Sequence, residues 1–122
     1  MGSDTEILSL FDEWNAALQT GDPGRVAESY AADAILLPTV SNKVRHDLSE
    51  LRDYSVHLVG IVPKGVVDEA NVRVFGDLAI NSGLYTFTFA DGSTVPARFT
   101  LVYRRSGSGW QIVEQHSSRM PE

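Results

Sequence analysis

Cysteine is absent from this chain of 122 residues. Its absence excludes disulfides, thiolate nucleophiles and cysteine-based zinc sites. It does not fix a compartment. Long apolar runs are also missing, so no helix is expected to span a bilayer and no membrane partner is expected. Basic residues are scarce, with 10 Lys and Arg against 16 Asp and Glu and a net charge of −6. Binding a phosphate backbone needs a basic stripe. The one close basic pair, Arg104-Arg105, falls at a turn, so nucleic acid is not an expected partner. Histidine occurs three times, as His46, His57 and His116. No two of them have the short spacing of a metal-binding pair, so neither metal nor cofactor is expected. No glycine-flanked serine forms a nucleophile elbow. The glycines around Gly107 make a turn, not a phosphate cradle.

What remains is a globular composition, 43% hydrophobic and 21% charged. A chain of this length forms one domain, residues 1–122, and buries roughly two-thirds of its unfolded surface. Met1-Gly2-Ser3 reads as a cloning remnant, with residues 1–4 flexible. The expected state is soluble, either cytoplasmic or periplasmic or secreted after removal of a signal.

The first element reads as a helix. Ile7, Leu10, Phe11, Trp14, Ala17 and Leu18 recur on one helical face, and Ser3 and Glu6 have capping-box spacing. Gly21 stops it. Asp22-Pro23 starts a short second helix, with Val26, Ala27 and Tyr30 on its apolar side. Ala34 to Leu37 is a short buried strand ended by Pro38. A third helix begins at Asp47 and Glu50, carries Leu48, Leu51, Tyr54, Leu58 and Val59, and ends by Pro63 and Gly65. Four strands follow: 66–75, 78–89, 94–105 and 110–118. Gly76-Asp77 and Asp91-Gly92 mark the first two hairpins. Helices followed by a strand meander give an α+β fold, with helices on one face of a curved, mostly antiparallel sheet. Such a cone has a mouth, and mouths of this kind hold ligands.

The last two strands alternate without a plainly wet face. Phe99, Leu101 and Tyr103 share one side, expected to meet a second subunit. Arg98, Thr100, Val102 and Arg104 share the other. On the final strand, Trp110 and Ile112 are expected on the same side as Glu114 and His116, as the wall of a pocket.

The run Trp14-Asn15-Ala16-Ala17-Leu18-Gln19-Thr20-Gly21-Asp22-Pro23 resembles the opening of nuclear transport factor 2-like domains. Leu36-Leu37-Pro38-Thr39-Val40-Ser41-Asn42-Lys43-Val44-Arg45 and the closing run from Trp110 to Glu122 narrow the likeness. They resemble bacterial stand-alone relatives of the calcium/calmodulin-dependent protein kinase II association domain, within the SnoaL-like superfamily. The resemblance implies a cone-shaped α+β fold of about three helices on a strongly curved sheet, a deep pocket, and oligomers formed through the outer sheet face. It does not imply kinase activity, since 122 residues leave no room for a kinase domain. Two departures bear on the pocket. Relatives often carry His-His where this chain has Gln115-His116, and a bulky aromatic where it has Ser55.

Several residues then stand out. His116 is either a general base or hydrogen-bond donor in the pocket, or a satisfied sheet histidine. Glu114 is the alternative base. Arg98, mid-strand among apolar neighbours, either holds a ligand carboxylate or pairs with an internal acid such as Glu114 or Asp68. Trp14, Tyr30, Tyr54 and Tyr85 either line the pocket or pack the core. Asn81 faces either the pocket or a partner subunit. The favoured reading is a domain that binds a small, possibly anionic, organic ligand and forms a homo-oligomer, most simply a dimer. The alternatives are a SnoaL-like enzyme performing isomerase-, cyclase- or dehydratase-type proton transfer, and a pure assembly hub.

Overall fold

The computed structural model describes residues 2–38, 43–60, 63–107 and 109–121. Helix α1 spans Gly2–Gln19. Ile7, Phe11, Trp14 and Leu18 are buried along it, the spacing of one face. It starts at Gly2, so Ser3 lies inside the helix and not at its cap. Gly21 ends it with a φ of 73°, a conformation that costs glycine little. Helix α2, Pro23–Ala27, is capped by Asp22, whose Oδ1 accepts from the Gly24 N–H at 2.9 Å. Helix α3, Leu48–Gly60, is capped by Asp47, which accepts from the Glu50 N–H at 2.9 Å. Glu50 in turn accepts from the His46 N–H at 2.7 Å. That bond, with the His46 ring beside it, holds the Glu50 carboxyl below its ordinary value.

The strands are β1 (Tyr30–Leu37), β2 (Lys64–Phe75), β3 (Leu78–Thr88), β4 (Thr94–Ser106) and β5 (Gly109–Arg119). They form one sheet in the order β1-β5-β4-β3-β2. β1 runs parallel to β5, and the other pairings are antiparallel. β1 is longer than the sequence suggests, because Tyr30 opens the strand instead of closing α2. The result is α+β: three helices packed on a five-stranded, mostly antiparallel open sheet.

Two bulges shape the antiparallel part of this sheet. On β2, Val67 pairs with Tyr85 and Glu69 with Leu84, leaving Asp68 as the extra residue. The backbone there presses close to β3. A Cβ at Gly83 would lie 2.0 Å from the Glu69 carbonyl oxygen, so only glycine fits. On β5, Glu114 pairs with Val102 and Ile112 with Tyr103, leaving Val113 extra. One extra residue reverses which side chains face inward.

The core lies between the helices and the concave face. Ala79 and Tyr85 of β3, Ala97, Phe99, Leu101 and Tyr103 of β4, and Ile112 of β5 meet Ile7, Phe11, Trp14 and Leu18. Phe99, Leu101 and Tyr103 therefore face the chain's own helices and are at most 3% exposed. The expectation that they meet a second subunit is corrected. With one face of the strand to bury, the three largest apolar side chains take the helix side. Helix α1 is tied to the start of β2 by a reciprocal pair. Asn15 Nδ2 donates to the Gly65 carbonyl at 3.0 Å, and the Gly65 N–H donates to Asn15 Oδ1 at 2.9 Å. Gln19 adds a bond to the Pro63 carbonyl at 2.7 Å.

Candidate functional site: an aromatic cavity under the first and third helices

A cavity opens where α1, α3 and the concave face converge. Its enclosed space is small, about 50 Å³, within about 550 Å³ that includes the open mouth. Trp14, Tyr30, Tyr54, Tyr85, Phe87 and Gln115 supply most of its character. The aromatic rings support one another. Tyr85 stacks on Phe99 at 4.6 Å and meets Phe87 edge-on at 4.7 Å, and Trp14 meets Phe87 edge-on at 5.9 Å.

Hydrogen bonds link the polar groups. The Trp14 indole N–H donates to the Tyr30 hydroxyl at 3.1 Å. The Tyr30 hydroxyl donates to Gln115 Oε1. The Tyr85 hydroxyl donates to Ser117 Oγ at 2.6 Å. Burial raises the Tyr30 hydroxyl well above its ordinary value. Burial likewise pushes Tyr54 and Tyr85 up to about 12, in Tyr85 against the opposing pull of Ser117 and Gln115. All three therefore stay protonated across any working pH. No carboxylate or imidazole lines the cavity among the described residues. Arg45 lies at its margin, with its guanidinium 5.2 Å from the Tyr54 ring centre. Backbone bonds between Arg45 and Leu36, at 2.9 and 3.0 Å, hold that segment against β1.

The structure brings four of the expected pocket residues together: Trp14, Tyr30, Tyr54 and Tyr85 all line the cavity. Arg98, Glu114 and His116 lie elsewhere. All three are exposed on the outer face of the sheet. Arg98 sits in register with Leu84 and Ser118, His116 with Thr100 and Leu37, and Glu114 with Val102 and Ile35. The expected grouping of Glu114 and His116 with Trp110 and Ile112 is thus corrected. The bulge at Val113 turns Gln115 and Ser117 inward in their place.

Asn81 faces inward and is fully buried, but it does not line the cavity. Among the described residues, neither of its amide atoms has a hydrogen-bond partner, nor does the hydroxyl of Tyr103, which lies on β4 two positions from Leu101, the residue paired with Asn81. The Gln115-His116 departure does bear on the pocket, through Gln115, whereas nothing in the sequence singles out Ser117. The adjacent apolar pair Ile112-Val113, which breaks the alternation, is the signal that points to the inward turn of both.

An open curved sheet closed by three helices around a concave cavity defines a nuclear transport factor 2-like, or cystatin-like, domain. Solved structures agree. A protein from Streptomyces avermitilis named as a dehydratase of this family superposes with a TM-score of 0.86 at 16% identity, covering 97% of this chain and 96% of that one. A protein from Shewanella frigidimarina named as a ketosteroid isomerase does so with a TM-score of 0.76 at 23% identity, covering 90% and 92%. At such identities these two speak for the fold alone. A calcium/calmodulin dependent protein kinase II association domain protein from Xanthomonas campestris is much nearer, with 46% identity, a TM-score of 0.92 and coverage of 96% and 87%. The chain matches the family of calcium/calmodulin dependent protein kinase II association domains over residues 3–121 and belongs to it. No curated protein matches the sequence.

Proposed function

We propose that this protein binds a small, mainly apolar ligand in the cavity and assembles with copies of itself through the outer face of the sheet. The observation that carries the binding reading is the cavity wall itself. Aromatic and aliphatic side chains form most of it, and its polar groups fall into two hydrogen-bonded sets, Trp14–Tyr30–Gln115 and Tyr85–Ser117, a division of labour typical of ligand pockets. The outer face supports assembly. It leaves Val66 at 57% exposure near one end of β2, and Phe75 and Leu78 at 57% and 45% around the β2–β3 hairpin.

The proton-transfer alternative loses the base it relied on inside the cavity, since His116 and Glu114 point to the opposite face. Native mass spectrometry tests both parts together. A particle of two or more chains carrying extra mass supports the proposal. A bare monomer refutes the assembly reading. A failure of every member of a small-molecule library to raise the melting temperature refutes the binding reading.

A further inference from the structure

We infer that the cavity selects neutral hydrogen-bond acceptors, such as a ketone or ester carbonyl on a compact apolar body. A fixed chain of hydrogen bonds turns the Gln115 amide so that its N–H groups face the guest. The inference rests on reading the cavity as a ligand site.

The direction of the chain follows from its first member. An indole N–H can only donate. Trp14 donates to the Tyr30 oxygen at 3.1 Å, so that oxygen is an acceptor there. Tyr30 has a single proton and is almost wholly buried, so the proton must find an acceptor within the protein. The group within reach is the Gln115 side chain, which must therefore present its oxygen. The NH2 end is turned away from Tyr30. This orientation follows from the chemistry of Trp14, independently of how amide oxygen and nitrogen are told apart.

The next link has the same sense. The Tyr85 proton is committed to Ser117 Oγ, so the Tyr85 oxygen can accept. The Gln115 amide oxygen is taken by Tyr30, while its NH2 group makes no hydrogen bond among the described residues and is left for a guest. Gln115 lines the cavity although the residue is only 5% exposed, so this donor is reached from the cavity side. A hydrocarbon guest would leave it unpaired. An anion would have to shed water among aromatic rings, and no cationic side chain lines the cavity among the described residues.

Three probes of one shape test this: acetophenone, α-methylstyrene, in which a CH2 group replaces the carbonyl oxygen, and benzoate. Each is titrated by ligand-observed NMR. Wild-type protein is expected to bind acetophenone roughly five- to tenfold more tightly than α-methylstyrene, the value of one net hydrogen bond. Benzoate is expected to bind weakest. Gln115→Met keeps the side-chain length and removes both N–H groups, so the ratio should fall to near one. Trp14→Phe tests the positioning role. It frees the Tyr30 oxygen to accept from the amide, which can then turn over, and the ratio should fall while α-methylstyrene still binds. If Trp14→Phe does not fold by circular dichroism, the Gln115 variant carries the test alone. Equal binding of acetophenone and α-methylstyrene, a preference for benzoate, or an unchanged ratio in a folded variant overturns the inference and leaves the cavity a ligand site. Binding of none of the three overturns the underlying reading as well.

Discussion

All four tyrosines of the chain are buried, and burial raises the hydroxyl of each above its ordinary value of 10.0. This predicts an unusual response to alkali. A tyrosine whose pKa is higher folded than unfolded stabilises the fold fully below pH 10. That contribution is lost as pH rises through the folded value, because the unfolded chain releases its proton first. Raised from 10.0 to about 12, Tyr54 and Tyr85 each contribute about 3 kcal/mol that disappears across this window. Tyr30 and Tyr103 act in the same direction. Two such terms already approach a typical total stability of about 5–15 kcal/mol. The protein should therefore unfold cooperatively between pH 10 and about 12, and its tyrosines should ionise together as it does so. The assay follows tyrosinate absorbance and near-ultraviolet circular dichroism over one pH titration. Tyrosinate rising with a midpoint near pH 10 while the dichroism stays native would refute the reasoning, since it would mean that the hydroxyls are open to solvent.

Other substitutions separate the roles of the two sheet faces. Gly83→Ala places a Cβ against the Glu69 carbonyl and should cost about 3 kcal/mol or more in urea unfolding, as overpacking against rigid backbone does. Phe99→Ala removes a ring stacked on Tyr85 and should cost about 3–5 kcal/mol by the same measurement. Asp22→Ala deletes the cap of α2 and should cost about 1 kcal/mol. Arg98→Ala and His116→Ala, both on the outer face, should move the urea midpoint of the dissociated chain by the equivalent of only about 0.5 kcal/mol. Ligand affinity should not change in either. If ligand binding is lost in either variant with the fold intact, the assignment of the cavity is wrong.

Much of this fold was legible because its punctuation is local. Gly21, the Asp22-Pro23 cap, Asp47 with Glu50, and the glycines at the hairpins each act within a few residues, and the elements fall where these signals predict. The helical face of Ile7, Phe11, Trp14 and Leu18 was equally plain. Facing was harder. Strand parity depends on counting by twos, and a single extra residue at Val113 reverses every position beyond it. That one bulge placed His116 outside and Gln115 inside. The same counting misassigned Phe99, Leu101 and Tyr103, because alternation identifies two faces without saying which one the helices cover. The tyrosines were found because large amphipathic side chains suit a cavity whatever the register.

The parallel pairing of β1 with β5 also governs when this protein can become a folded object. Tyr30 finds its acceptor on Gln115, 85 positions later in the chain. Joining segments so far apart carries a large closure entropy, and folding rates fall as contacts become less local. During synthesis the ribosome would release the helices and three strands of the meander while β1 still lacked its neighbour. The apolar wall made of Tyr30, Ala34 and Leu36 would stay open to other chains until the last strand emerged. Ribosome-stalled chains ending before β5 should therefore bind holdase chaperones, and chains carrying β5 clear of the exit tunnel should be released.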